Sequence, residues 1–545
     1  MTSGRKQKHV VIVGGGAAGM SCAATLAQHP ERFKITLLEK APVCGGQAIS
    51  IPIDEKKFGA SWLNNGVQGG SPIFKHTFNF FRRYSYEPRD IRLQVSFGKG
   101  PDGFWTNCFR SRLVEKHAGD IKKFGYFLRL IKWTMPVLGL LPIRVMMRLM
   151  LFSKDFSDKM VYPLIALFLG TGNQTANVPC AIVERLFDDP NLRLWEYSPD
   201  TLLPNLPTMV TFDNLHSFYE AWQKDLESKG VEFRLRTEVT AIVSRTENGV
   251  LLRTKKVTPD IGFSADEGTH ENDREEDFNE LVLCVLADDA LRLLGKQATF
   301  RERAVLGGAA FYDDVTVTHW DSDYFERHYE TTFKADLCAV PKTSAQKEQV
   351  LWARGQETDA VELSRGGAHT QGFRPMYYTK SYQSDPKNIE MSFDASNYQH
   401  QLLDAVEESG EGGAGRQGGY EHVYQTIFLD KQHRNLWTID EIDKAKIIKT
   451  QWWHQLGHRW QHYLRVVPGM MFLNGRHKTW FAGSWTLLNM HELACVSGIA
   501  AAYRLGAEYH KFDDFAEDFF SKYLLLSHGM SYSREESRRR KDKHV

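Results

Sequence analysis

Three glycines spaced Gly14-x-Gly16-x-x-Gly19, with Glu39 twenty residues after the last, are the residues of this chain whose types and spacing most clearly serve chemistry. Gly14 permits a tight turn, Gly16 lets backbone approach a pyrophosphate, and Gly19 lets a helix pack closely on a strand. A helix starting at Ala17 and Ala18 then offers free N–H groups and a positive dipole end to the phosphates. Glu39 can accept both ribose hydroxyls of an adenosine, and its charge repels a 2′-phosphate, which disfavours NADP. The motif stands in full context: residues 9–13 read as a buried strand, 17–28 as a small-residue helix and 34–38 as a second strand ending at Glu39.

Other side chains could act on a substrate. His319-Trp320-Asp321 follows a β-like run at 314–318, and an imidazole there could be a general base because its ordinary pKa lies near working pH. A hydrogen-bonded histidine at a strand end is the competing reading, and both stay open. His454, His458 and His462 recur every fourth residue, which predicts one helix face. Gln455 follows His454, so the glutamate of an HExxH zinc motif is missing. An aromatic helix face is expected there, and no metal.

Further segments carry a resemblance. Lys40 to Gly46, ending in Gly45-Gly46 before Gln47, looks like the continuation of the nucleotide motif in FAD-binding flavoproteins of the amine-oxidase superfamily. Glu238-Val239 resembles that family's adenine clamp, in which the valine backbone bonds the adenine edge. Trp480-Phe481-Ala482-Gly483-Ser484-Trp485-Thr486, leading to His491-Glu492 and Ser497-Gly498, is similar to its closing FAD motif. His319-Trp320-Asp321 and the approach Gly475 to Gly483 resemble the group described as "predicted NAD/FAD-binding protein" within that superfamily. The resemblance implies FAD as cofactor, held by Gly14, Gly16, Ala18, Gly19, Glu39, Lys40, Gly45, Gly46, Gln47, Val239, Gly483, Ser484, His491 and Glu492, with His319 as the catalytic candidate. It also suggests that Asn64, Asn65 and Gln68 pass the flavin ring, where their amides could bond it or a substrate. The family's covalent-flavin cysteine is absent ahead of the closing strand, so non-covalent FAD is expected. Asn489 followed by Glu492 fits a capping box starting a helix at Met490.

The elements that must position these residues follow from pattern and composition. The chain has 545 residues, 68 Lys+Arg against 67 Asp+Glu, and a net charge of +1, which argues against nucleic acid as a partner. Seven scattered cysteines without a CxxC pair suit a reducing compartment. The opening apolar run breaks at glycines and reads as a strand, not a signal-peptide core, and no stretch is apolar enough to span a membrane. Intracellular, cytoplasmic localisation is the expectation. Residues 70–230 are mostly helical by pattern, 231–255 and 280–285 are β-rich, and 258–277 reads as an acidic loop of a hairpin. The glycine-rich insert 407–419 and the charged tail 531–545 read as surface-exposed. Residues 134–152, with Arg144 and Arg148, and the later run Val161 to Leu169 read first as buried core helix with snorkelling arginines; a greasy pocket wall or a helix resting on a membrane are the other readings.

The expected fold is α/β: a discontinuous Rossmann-like FAD-binding domain from 1–70, 231–310 and 465–510, an inserted substrate domain of β-sheet and helical cap from 71–230 and 311–464, and a C-terminal helix and tail over 511–545. The expected activity is that of an FAD-dependent oxidoreductase, an oxidase or desaturase taking hydride from a small, apolar, lipid-like substrate. The alternatives are an FAD-dependent double-bond isomerase of polyunsaturated fatty acids and a non-catalytic FAD-binding protein.

Overall fold

The computed structural model describes residues 7–135, 137–257, 273–356, 372–409, 412–413, 416–417 and 419–534. Its centre is a five-stranded parallel sheet in the order Thr479–Phe481, Glu280–Leu283, Lys8–Val13, Phe33–Leu38, Glu232–Arg234. The unbroken apolar runs in Lys8–Val13 and Glu280–Leu283 are what a parallel strand covered on both faces requires. The helix Ala17–Leu26 is buried along its whole length against the helix His491–Leu505. Small residues allow that approach: a Cβ on Gly498 would lie 2.0 Å from the Ala18 carbonyl oxygen, and the Ser21 hydroxyl donates to the Cys495 carbonyl at 3.0 Å.

Beside this sheet, Thr237–Thr246, Gly249–Lys256 and Arg274–Phe278 form a three-stranded antiparallel sheet. The acidic segment expected to be loop through residue 277 is therefore strand from Arg274 onward; residues 258–272 lie outside the described residues. Cross-strand ion pairs account for the difference, with Arg253 on Glu275 at 2.7 Å and Arg234 on Glu276 at 2.6 Å. Residues 535–545 of the tail and 410–411, 414–415 and 418 of the insert also lie outside the described residues.

A six-stranded sheet follows the order Ile447–Leu456, Phe311–His319, Tyr424–Phe428, Ile389–Asp394, Tyr377–Ser381, Val95–Phe97. The first of these overturns the helix expected to carry His454. Its residues pair with Phe311–His319 along nearly its full length, and partner strands outweigh a four-residue histidine spacing. Gly457 ends the strand, and only His462 of the three histidines lies in a helical turn, over His462–Val466.

The helical layer holds Ala118–Thr134, Ile143–Leu149, Tyr162–Leu169 and Cys180–Asp188, as the pattern of 70–230 implies, although Arg89–Arg92 and Thr208–Thr211 form strands within that stretch. Residues 134–152 are not one buried helix. The helix stops at Thr134, a second begins only after Pro142, and Val137, Leu149 and Leu151 are exposed. Among the described residues no helix is long and apolar enough to cross a membrane. The expected C-terminal helix is present as Asp514–His528, started by the Asp513 carboxylate accepting the Ala516 N–H at 2.7 Å.

Candidate cofactor and substrate site

One cavity of about 830 Å³ runs between the parallel sheet and the six-stranded sheet. Its size is at the upper end of ligand pockets, which run from about 300 to 1,000 Å³. Of the fourteen cofactor-binding candidates, all but Gly19 and Glu492 line it.

The glycines divide by what they make room for. Gly14, at φ +107°, would place a Cβ 2.6 Å from the Cys284 carbonyl oxygen, and Gly19 would place one 1.9 Å from the Gly14 oxygen. Both therefore serve the protein's own packing. Gly16 differs, with an ordinary extended backbone at φ −75°, ψ −177°. A Cβ there would meet nothing nearer than the Gly46 Cα at 3.9 Å, so it would project into the cavity itself. Backbone is thus left bare at the cavity wall, and it adjoins the start of Ala17–Leu26, which no side chain caps. The Gly45 N–H donates to the Gly15 carbonyl at 2.9 Å and joins the second glycine loop to the first. The Glu39 carboxylate accepts the Gly15 N–H at 2.6 Å and the Ala41 N–H at 2.8 Å, which orients it at the cavity wall beside Lys40. Val239 lines the same end with Thr237 and Glu238.

On the opposite wall, the Gly483 N–H donates to the Ser497 hydroxyl at 2.8 Å, tying the closing strand to the helix behind it. Ser484 faces the cavity and donates to the Asn489 side chain at 2.9 Å. His491 opens the helix His491–Leu505 and bridges the Tyr219 hydroxyl at 2.8 Å and the Thr77 hydroxyl at 3.0 Å. Burial pushes its pKa down to about 4, against the charge of Glu492, so the ring is neutral and donates one of these bonds while accepting the other.

Glu492 departs from its expected roles as cofactor ligand and capping-box partner. It is buried behind the cavity, and its carboxylate accepts the His76 N–H at 2.9 Å, the Thr77 N–H at 2.8 Å and the His76 ring at 2.7 Å. It thus caps a different helix, Lys75–Arg83, while the helix at His491 has no side-chain cap. Burial favours its neutral acid, but the charge and hydrogen bonds of His76 and the two N–H donors hold its pKa below the ordinary value.

The far end of the cavity is apolar and aromatic. The six-stranded sheet contributes Thr316, Tyr377, Phe393, Ile427 and Trp453, the helical layer Leu167 and Phe168, and the loop after Cys180–Asp188 contributes Trp195. Trp453 donates to the Thr316 hydroxyl at 2.9 Å, with its ring packed where a Cβ on Gly66 would come within 3.1 Å. Of the three amides in the loop after Gly46, only Gln68 lines the cavity. It bonds Gln425, which in turn donates to the Asn64 carbonyl and the Asn65 side chain at 3.2 Å. Asn64 and Asn65 are buried supports of Gln68.

His319 is not at the cavity, and the pleat explains why. Thr316 and Ile427 face it, so residues of opposite parity face away, as Val315 and Val317 do in a separate core cluster. His319 lies on that far face, fully buried, bonded to the Thr426 hydroxyl at 3.0 Å and accepting the Asp321 N–H at 3.2 Å. Burial pushes its pKa down to about 3 despite the charge of Asp321. The general-base reading is therefore dropped in favour of the structural one. His454 does reach the rim, where its ring nitrogens bond Asp288 at 2.6 Å and Asp313 at 2.7 Å. Burial opposes protonation there, but those two carboxylates raise its pKa. Among the described residues no group of side chains could hold a metal ion.

Sequence reasoning missed Thr316, Tyr377, Phe393, Ile427 and Trp195. The alternation of Phe311–His319 and Tyr424–Phe428 could have indicated two of them; Trp195 lies outside any regular element and carried no signal.

Residues 12–84 match the NAD(P)-binding Rossmann-like domain. A CLA-producing fatty acid isomerase from P. acnes has a similar structure, with TM-score 0.56 and 14% identity over 92% of this chain and 99% of that one. Putrescine oxidase with putrescine bound gives TM-score 0.53 and 11% identity over 92% and 99%. Cyclohexylamine oxidase from Brevibacterium oxydans IH-35A gives 0.51 and 12% over 94% and 100%. No curated protein matches the sequence. Fold and cavity together define an α/β protein with a Rossmann-like core. More particularly, the Rossmann-like segment 12–84 lies within a fold of the amine-oxidase type that extends over most of the chain.

Proposed function

We propose that the protein is an FAD-dependent oxidoreductase that removes hydride from an apolar organic substrate. The observation that carries this reading is the continuity of one cavity from the bare glycine cradle at Gly16 to the aromatic wall at Phe168, Trp195, Tyr377 and Trp453. FAD fits the residues present. Glu39 would hold the ribose hydroxyls, the N–H groups after Gly16 the pyrophosphate, and the Val239 backbone the adenine. Bound there non-covalently, FAD would supply a hydride acceptor. The start of His491–Leu505 turns its positive dipole end toward the cavity and favours negative charge there. Gln68, held by Gln425, offers the aromatic end a fixed amide, and the surrounding rings exclude water and hold an apolar chain.

A specific observation favours a second reading, double-bond isomerisation. On the wall contributed by the six-stranded sheet, the titratable side chains among the described residues are Tyr377, whose pKa burial raises, and His454, locked between two carboxylates. Neither suits proton transfer at the aromatic end, and a hydride that leaves one carbon and returns to another needs no such group. The fatty acid isomerase shares the fold.

Anaerobic mixing of the FAD-loaded protein with unsaturated fatty acids and with small polar amines tests both. Bleaching of the flavin band by an acyl chain, followed by peroxide in air, supports the oxidoreductase. A rise in diene absorbance without peroxide supports the isomerase. Turnover of small polar amines alone would refute the apolar-substrate reading.

A further inference from the structure

The helical layer presents a surface that the protein's own core does not use. On Ala118–Thr134, Tyr126 is 62% exposed and Trp133 86%. Beyond the break, Val137 is 75% exposed, Leu149 65% and Leu151 83%. The two segments meet: the Lys123 ammonium donates to the Leu151 carbonyl at 3.0 Å and lies 4.8 Å from the centre of the Phe152 ring. Leu151 is also held at φ +54°, a left-handed conformation that glycine or asparagine adopts far more readily. A leucine kept in that conformation and turned to solvent adds little to the packing of the described residues.

Within the segment that carries most of these side chains the charge has one sign. From Ile121 to Lys154 the sequence contains seven lysines and arginines and no aspartate or glutamate. Lys122, Arg129 and Lys132 are exposed on the first helix, and Arg144, Arg148 and Lys154 are exposed beyond it. Lys132 pairs with Asp188, whereas no carboxylate of the described residues pairs with Arg144 or Arg148. A second copy of the chain is a poor occupant, because a two-fold contact would set this basic rim against itself. A surface carrying phosphates complements it, and exposed tryptophan with basic neighbours is the composition of a bilayer-interface anchor.

We propose that this face docks on an anionic lipid bilayer, with Trp133, Val137, Leu149 and Leu151 at the boundary between headgroups and acyl chains and the surrounding bases on lipid phosphates. The same helical layer supplies Leu167 and Phe168 to the cavity, so the apolar wall of the site and the docking face belong to one packed unit. The proposal does not depend on the reaction assigned above.

Flotation of the full-length protein with phosphatidylcholine vesicles, with and without phosphatidylglycerol, tests it. The protein is expected to float with the anionic vesicles and to be released by salt. Trp133→Ser with Leu151→Ser should weaken partition at least about tenfold. Arg144→Glu with Arg148→Glu should weaken it at least about thirtyfold. All four positions are exposed, so the melting temperature and circular dichroism should be unaltered. Absence of flotation with anionic vesicles, or flotation unchanged in both variants, would overturn the proposal. So would a solution dimer that the Trp133→Ser, Leu151→Ser variant converts to monomer, since a second copy would then cover the face.

Discussion

Gly16→Ala separates the cofactor cradle from the fold more cleanly than any other single change. The backbone at Gly16 is already in a conformation open to alanine, and the added methyl would lie 3.9 Å from its nearest protein neighbour. The flavin-free protein should therefore fold normally and gain about 0.4–1 kcal/mol, because alanine restricts the unfolded chain more than glycine does. The methyl, however, stands where a pyrophosphate must approach the backbone. Losing two charge-assisted N–H bonds to phosphate costs about 3–6 kcal/mol, a roughly hundredfold to ten-thousandfold weaker Kd for FAD. Gly14→Ala is the contrasting control: at φ +107°, with its Cβ 2.6 Å from the Cys284 oxygen, it should fail to fold or melt far lower. The assay is denaturant unfolding of the flavin-free proteins beside calorimetric titration with FAD. Wild-type affinity in Gly16→Ala would refute the cradle, as would destabilisation comparable to that of Gly14→Ala.

Glu492→Ala leaves two helix N–H groups and the His76 ring without their buried carboxylate and should cost about 3–5 kcal/mol in denaturant unfolding, while the variant that still folds keeps its flavin content; loss of flavin at full stability would reverse that assignment. His319→Ala should lower stability and leave the rate of anaerobic flavin reduction unaltered, and a slowed reduction with flavin retained would restore its catalytic reading. Burial holds His458 and His528 at pKa values of about 3, and His462 and His491 at about 4, below the ordinary value of an unfolded histidine. Their folded-state pKa values are depressed, so the stability they contribute is complete above about pH 6.5 and falls by about 1.4 kcal/mol per pH unit for each as acid is added. Unfolding followed from pH 7 to 5 should show that steep loss, and His528→Leu should flatten it by one histidine's share; an unchanged slope would contradict the burial argument.

The glycine-rich end of the cavity was legible in the sequence because its logic is local. Gly14, Gly16, Gly19 and Glu39 act through turns and distances set within one strand–turn–helix–strand unit, and the second glycine pair follows closely after Glu39. His491 and Gly483 were legible for the same reason, since a strand passes directly into its helix there. Glu492 was misplaced by a neighbouring residue: Asn489 makes a plausible local cap, yet the carboxylate finds two free N–H groups on a helix more than four hundred residues earlier.

What the sequence by itself determined is the α/β class, the parallel Rossmann-like core and most of the residues that line the glycine-rich end of the cavity. Tertiary structure decided the rest, because it depends on which strands become neighbours. Pairing with Phe311–His319 turned the expected histidine helix into a strand and set Trp453 against Thr316. The pleat of the same sheet put Thr316 on the cavity and His319 behind it, a difference of parity that only the assembled sheet reveals. Only the packed helical layer could show that Trp133 and Leu151 face outward, since a core helix and a docking face share one composition and differ in what lies against them.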